Sequence, residues 1–180
     1  MADKIGKILY TQDEILKRAK EIAAEIDKDY AGEEVIVLCT LKGSLLWVAD
    51  IMKNLTVDTK LDFISASSYG ASKTSAGVVK IKFDPEINMY NSNILVVEDI
   101  VDTGNTLKYV LAKLQERGPK SIKICSMLNK ESRRVADLHA DYVGFEVDDL
   151  FVIGYGLDFD QKFRGLPYIS YLEEDDVDSL

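Results

Sequence analysis

Three carboxylates and a turn of small residues follow one apolar run near the middle of the chain. The run "ILVV" at 94–97 is followed by Glu98, Asp99 and Asp102, and then by "TGNT" at 103–106. Like charges this close repel one another, so the cluster calls for a cation or another positive partner. Two neighbouring carboxylates suit sugar hydroxyls, or Mg²⁺ held through water.

The turn after these carboxylates suits an anion. If a helix begins there, its first N–H groups have no partner within the helix and favour a phosphate. Thr103 and Thr106 add hydroxyl donors, and Gly104 permits a tight turn. The sequence has no GxxxxGK[ST] pattern, so this is not a Walker-type loop. Asp102 would be unfavourable beside a phosphate unless it has a chemical task; the alternative is that it only caps the helix.

Strands and helices alternate around this motif. Apolar runs predict strands at 34–39, 61–69, 78–83, 94–98 and 121–128. Apolar stripes at helical spacing predict helices at 11–27, at 44–55, and from about 106 to a stop at Gly118 and Pro119. The alternation is typical of an α/β fold with a largely parallel sheet, in which ligands bind at the carboxyl ends of the strands. Adjacent residues in a strand point to opposite faces of the sheet. Glu98 and Asp99 can therefore serve one ligand only where the strand gives way to loop, and we expect them there.

Composition limits the function. The 180 residues, 47% hydrophobic and 29% charged, predict a single domain over 1–180. A formal net charge of −9 argues against nucleic-acid binding, and no apolar run approaches the roughly 20 residues of a membrane span. The start "MADKIGKILY" has no signal-peptide core, which predicts a cytoplasmic protein. Cys39 and Cys125 lie in strand-like runs and are interpreted as reduced core residues.

Several motifs together resemble one enzyme family. "VVEDIVDTGNT" at 96–106 resembles the phosphoribosyl-pyrophosphate signature of the type I phosphoribosyltransferases. "LKGS" at 41–44, "SSYG" at 67–70 and "LNKES" at 128–132 resemble the pyrophosphate loop, the mobile catalytic loop and the purine-site lysine of the hypoxanthine-guanine phosphoribosyltransferases. The segment 141–169 resembles their base-binding segment almost end to end.

The resemblance implies a type I phosphoribosyltransferase fold. A small hood, formed by about 150–180 with part of the N-terminus, would lie over the base site, and 67–77 would be a mobile lid. The implied reaction belongs to purine salvage. It transfers the 5-phosphoribosyl group from phosphoribosyl pyrophosphate to N9 of hypoxanthine or guanine, giving the nucleoside monophosphate and pyrophosphate, with Mg²⁺. The resemblance further implies a homodimer or homotetramer, with no nucleic-acid or membrane partner.

The resemblance also implies roles on the donor side of the site. For the 5′-phosphate it indicates Asp102, Thr103, Gly104, Asn105 and Thr106. Glu98 and Asp99 would address the ribose hydroxyls and Mg²⁺, and Asp102 would accept a proton at purine N7. Pyrophosphate would be held by Lys42, Gly43 and Arg164, with a cis peptide between Leu41 and Lys42.

On the base side, the chemistry of Lys130 itself favours a 6-oxopurine. An ammonium group only donates hydrogen bonds, so it pairs with a 6-oxo group and mismatches the 6-amino group of adenine. The resemblance implies that Phe151 stacks on the purine, that the Val152 backbone reads its Watson–Crick edge, and that Asp158 binds a second Mg²⁺ through water. Ser68 and Tyr69, on the lid, would act with Asp102 and Lys130 in catalysis.

Other interpretations remain at this point. Lys42 and Arg164 could be solvated surface residues, and Phe151 a core aromatic. A regulator with this fold that senses phosphoribosyl pyrophosphate would share the central motif, although the chain has neither a basic face nor a DNA-binding domain. A receiver-type domain with an acidic metal pocket would explain the carboxylates alone. A pyrimidine- or adenine-specific transferase is disfavoured by Lys130.

Overall fold

A six-stranded sheet forms the centre of the molecule in a computed structural model that describes residues 5–69 and 78–173. Its strands are β1 (Val35–Thr40), β2 (Thr59–Tyr69), β3 (Val78–Phe83), β4 (Asn93–Val101), β5 (Ser121–Asn129) and β6 (Tyr142–Glu146). Their spatial order is β3-β2-β1-β4-β5-β6. The β2–β3 pair is antiparallel and the four other pairs are parallel. The predicted α/β fold with a largely parallel sheet is confirmed.

Three helices cover the two faces of this sheet. They are α1 (Gln12–Asp29), α2 (Leu45–Asn54) and α3 (Asn105–Gln115), close to the ranges that the apolar stripes predict. Thr11 and Glu14 form the capping box expected at the start of α1. Alternate residues of β1 pack into different cores: Val35 and Val37 with α1 and α2, Ile36 with α3. The buried strands thus carry apolar residues on both faces, as a sheet between helix layers requires.

Two short strands form a second, antiparallel sheet. They are β7 (Phe151–Ile153) and β8 (Ser170–Leu172). The N-terminal segment pairs with the same part of the chain, through bridges between Ile5 and Leu172 and between Tyr10 and Ile169. Neither these strands nor β6 was predicted, because segments of three to five residues carry too little periodicity to identify.

Strand β4 is longer than the sequence suggests. It runs through Glu98 and Asp99 to Val101, and Glu98 pairs with Ser126 of β5 while Val101 pairs with Asn129. The expectation that the strand ends at the acids is therefore wrong. The reason is tertiary: β5 extends equally far and keeps supplying hydrogen bonds to β4.

The predicted lid falls largely outside the described residues. Residues 67–69 belong to β2 and pair with the start of β3, whereas 70–77 and the side chains of Ser68 and Tyr69 are not described. Within the part that is described, no helix has the length and apolar character needed to span a bilayer.

Candidate active site

A cavity of about 260 Å³ opens where the carboxyl ends of β1 and β4 meet the start of α3. Ile64 and Ala66 of β2 contribute one wall. The cavity brings together most of the residues predicted for the donor side: Lys42, Gly43, Glu98, Asp99, Asp102, Thr103, Gly104 and Thr106. Asn105 is exposed at the first position of α3 and does not line the cavity.

Glu98 and Asp99 carry the dominant electrostatic feature of the cavity. Burial, and then the charge of Asp99, raise the pKa of Glu98 to about 8. Burial likewise raises the pKa of Asp99 to about 6. The hydroxyl of Thr40, which the sequence reasoning missed, lies 2.7 Å from Glu98 Oε2. Thr40 ends the strand next to β4, so the rule that ligand sites lie at parallel-strand ends could have found it.

These two acids should make the ligand-free protein less stable at alkaline pH. Because the folded state keeps protons on Glu98 and Asp99 that an unfolded chain releases near pH 4, the free energy of unfolding falls as pH rises from about 4 to about 8 and then levels off. In EDTA we expect the melting temperature to fall on the order of 5 °C between pH 6 and pH 9. Glu98→Gln should remove most of this fall, and an equally steep fall in that variant would contradict the assignment.

The turn 102–104 presents the N-terminus of α3 to the cavity. Gly104 is the N-cap, with φ 80°, and has no side chain with which to cap the helix; the hydroxyl of Thr103 lies 3.5 Å from Asn105 N. The alternative that Asp102 caps this helix is therefore wrong. A Cβ at Gly104 would lie 3.1 Å from Ala136 Cβ, in a backbone conformation that favours glycine. Thr103 O accepts hydrogen bonds from the N–H groups of Val135 and Ala136. These two bonds fix the backbone of the turn.

Arg134 supports the same turn, and the motif reasoning missed it. Its side chain is 7% exposed, and its guanidinium donates to Asp102 O at 2.8 Å, Val101 O at 2.9 Å and Leu138 O at 2.6 Å. A planar fork of five donors suits such a set of carbonyl acceptors. The signal available in the sequence was only a pair of arginines shortly after Lys130, which does not specify contacts.

The Asp102 carboxylate is left with an unused acceptor. Its Oδ1 is buried and makes no hydrogen bond within the described chain, although Arg133 Nε lies 3.5 Å away. Buried polar atoms without a partner are rare and call for a reason. The Asp102 side chain as a whole is 36% exposed and lines the cavity, so its carboxylate is within reach of an N–H group of a bound ligand.

The base-side residues lie beyond the cavity and connect to it through the backbone. Lys130 is 5% exposed, its N–H donates to Val101 O at 3.0 Å, and its ammonium donates to Leu150 O at 2.8 Å. Phe151 is 41% exposed, so the alternative that it is a core aromatic is wrong. Its ring meets Phe159 edge-on at 5.3 Å between centroids. Phe151 therefore has ring surface available to a planar ligand. Val152, its neighbour in β7, is buried.

Lys42 and Arg164 both contact the side chain of Gln161. Lys42 Nζ lies 3.2 Å from Gln161 Oε1, and Arg164 Nη2 lies 3.4 Å from the same oxygen. Arg164 also pairs with Asp158 at 2.7 Å, so it is not a solvated arginine. The peptide between Leu41 and Lys42 is cis, as the resemblance implies. A Cβ at Gly43 would lie 1.5 Å from Asp99 Oδ2, so this loop packs directly against the acidic pair.

The carboxylates of the cavity fit a magnesium ion that keeps several ligands from outside the protein. Among the described residues, no group of three or more His, Cys, Asp or Glu side chains is arranged to hold a metal alone. Mg²⁺ commonly takes one or two carboxylates and completes its shell with water and phosphate oxygens. Glu98 and Asp99, whose raised pKa values reflect unfavourable negative charge, provide such a pair.

Comparisons with known proteins point to one family. Residues 6–160 match the family model described as a phosphoribosyl transferase domain. The hypoxanthine-guanine phosphoribosyltransferase of Bacillus subtilis is 43% identical over 173 residues, which are 96% of each chain. That of Streptococcus thermophilus is 39% identical over 171 residues, 95% of each chain.

Solved structures agree with these sequence matches. A hypoxanthine-guanine phosphoribosyltransferase from Bacillus anthracis superimposes with a TM-score of 0.91 at 40% identity, covering 94% of this chain and 100% of that one. A hypoxanthine phosphoribosyltransferase from Staphylococcus aureus gives 0.93 at 38% identity, covering 98% and 96%. The chain therefore belongs to the phosphoribosyltransferase family, and within it to the hypoxanthine-guanine phosphoribosyltransferases that it matches almost end to end.

Proposed function

We propose that the protein transfers the 5-phosphoribosyl group of phosphoribosyl pyrophosphate to N9 of hypoxanthine or guanine in purine salvage, releasing pyrophosphate. The single observation that carries this proposal is one cavity lined both by paired acids and by the start of a helix whose N-cap is a glycine. Such a cavity offers hydroxyl and metal ligands on one side and phosphate donors on the other.

Different residues bind the phosphate, ribose and pyrophosphate parts of phosphoribosyl pyrophosphate. The N–H groups and hydroxyls of 103–106 hold the 5′-phosphate, while Glu98 and Asp99 hold the ribose hydroxyls. Lys42, the Gly43 backbone and Arg164 hold the pyrophosphate. Mg²⁺, held by the donor and by Glu98 and Asp99, with Asp158 near a second ion, would offset the negative charge that grows on the leaving group.

On the base side, Lys130 donates to the 6-oxo group and Phe151 stacks on the ring, while the Val152 backbone reads the purine edge. Leu150 O takes one of the three ammonium donors of Lys130 and Asp149 Oδ1 lies 3.7 Å from the same nitrogen, which leaves at least one donor for the base. Asp102, whose carboxylate lines the cavity, accepts the proton at N7 as N9 attacks the ribose. Ser68 and Tyr69 belong to the segment that would cover the reacting groups and exclude water.

A spectrophotometric assay tests the proposal directly. Purified protein with Mg²⁺ and phosphoribosyl pyrophosphate is offered hypoxanthine, guanine, xanthine, adenine, uracil and orotate in turn. We expect product with hypoxanthine or guanine and at least about 1,000-fold less with adenine, since a lysine aimed at the 6-position leaves the amino group unpaired. If no 6-oxopurine is converted while the protein still binds the donor, a sensing role replaces the enzymatic one.

The domain organisation, oligomeric state and cellular location of the enzyme are also proposals, and surface and core features support them. We infer a single domain in which a hood over the base is formed by the described part of the predicted segment 150–180, up to residue 173, with part of the N-terminus; residues 174–180 lie outside the described residues. The oligomeric state that we propose is a homodimer or homotetramer. Two apolar side chains beside the pyrophosphate loop support an interface there: Leu45 is 49% exposed and Leu46 is 37% exposed. Sedimentation analysis would distinguish the two. The buried free thiols of Cys39 and Cys125 are compatible with a cytoplasmic protein.

A further inference from the structure

A buried hydrogen bond joins Tyr155 to Asp50, and none of the residue roles proposed above involves it. The Tyr155 hydroxyl donates to Asp50 Oδ2, and the two residues are 4% and 5% exposed. Asp50 Oδ1 also lies 2.5 Å from the ammonium of Lys53. Burial and the Asp50 carboxylate raise the pKa of Tyr155 well above its ordinary range, so the phenol stays a donor at neutral pH. A buried carboxylate is costly, and here it is kept with a dedicated donor.

Tyr155 is the middle residue of an unusual turn. Gly154, Tyr155 and Gly156 have φ angles of 92°, 49° and 101°, and a residue other than glycine rarely adopts such a backbone. The turn is hydrogen-bonded to the segment 164–166. Tyr155 N donates to Leu166 O at 3.0 Å, and Gly156 N donates to Arg164 O at 2.9 Å. The Arg164 guanidinium donates back to Gly156 O at 2.7 Å. The position of Arg164 is thus set by this turn.

Asp50 belongs to the other half of the pyrophosphate site. It lies in α2, the helix that begins directly after the loop 41–43. The turn packs against this loop so closely that a Cβ at Gly156 would lie 1.9 Å from Gly43 O. Two contacts therefore join the segments that carry Lys42 and Arg164. One is the close packing of Gly156 against Gly43, and the other is the hydrogen bond between Tyr155 and Asp50.

We propose that Tyr155 and Asp50 are positioning residues that hold the loop 41–43 and the turn 154–156 at the separation that pyrophosphate requires. The inference rests on the proposed pyrophosphate roles of Lys42 and Arg164. Lys130 is anchored elsewhere, through Val101 and Leu150. Losing the hydrogen bond between Tyr155 and Asp50 should therefore weaken binding of pyrophosphate much more than binding of the purine nucleotide.

The reverse reaction, in which the 6-oxopurine nucleoside monophosphate and pyrophosphate give the base and phosphoribosyl pyrophosphate, separates these two affinities. Tyr155→Phe and Asp50→Ala should each raise the KM for pyrophosphate about tenfold and change the KM for the nucleotide less than about twofold. Asp50→Asn keeps an acceptor oxygen for the tyrosine and should restore most of the affinity. The double variant should be no worse than Asp50→Ala, because both changes remove the same bond.

Tyr142→Phe is a matched control. Its hydroxyl also donates to a carboxylate, Asp29 Oδ2 at 2.6 Å, but at the amino end of β6, far along the sheet from the cavity. It should lower the melting temperature without changing either KM. If Tyr155→Phe behaves like Tyr142→Phe, or raises both KM values alike, the pair is only structural. If the unmodified protein catalyses neither direction, the proposed function fails instead.

Discussion

Replacing Asp102 by asparagine should lower kcat about 100-fold or more while changing the affinity for phosphoribosyl pyrophosphate only slightly. Asparagine has nearly the same shape and keeps an acceptor oxygen, so the turn that Arg134 and Thr103 hold through backbone atoms should stay in place. The amide cannot take up the proton that leaves N7, and this loss acts only in the chemical step. Steady-state kinetics with hypoxanthine, together with calorimetric titration of the donor, separate the two effects.

Asp84→Asn supplies the control for this experiment. Asp84 is an exposed carboxylate paired with Arg117 at 2.5 Å, and its neutralisation should leave kcat and donor affinity unchanged. Losses of equal size in kcat and in donor affinity for Asp102→Asn would show that Asp102 shapes the phosphate turn and takes no part in proton transfer.

Replacing Lys130 by leucine should lower kcat/KM for hypoxanthine about 100-fold, mainly through binding of the base. The change removes the charged donor for the 6-oxo group and leaves Leu150 O without its 2.8 Å hydrogen bond. Hydrogen bonds to charged groups contribute about 1.5–3 kcal/mol each, and an unpaired buried carbonyl adds its own cost. Initial rates at varied hypoxanthine and fixed saturating donor measure the effect.

Lys123→Leu tests whether losing another lysine near this part of the chain would do the same. Lys123 lies in β5, the strand that ends just before Lys130, and its ammonium lies 2.7 Å from Asp29, away from the cavity. We expect a loss of stability in that variant but ordinary kinetics. An unchanged preference for hypoxanthine over adenine in Lys130→Leu would contradict the role of Lys130 in reading the 6-position.

Much of this protein could be predicted from local patterns. Apolar runs and stripes located five strands and three helices, because burial imposes its period directly on the chain. The acids at 98, 99 and 102 and the turn after them were recognisable as a ligand site, since their chemistry is local and parallel strands deliver their carboxyl ends to one edge.

Other features depend on which segments meet in space. The length of β4 was set by its partner β5, and the exposure of Phe151 by its place in the small sheet. The contacts of Arg134 with the turn, and of Tyr155 with Asp50, join residues 32 and 105 positions apart in the chain. Hydrogen bonds of this kind carry no periodicity, so only the folded chain could reveal which polar side chains support the site.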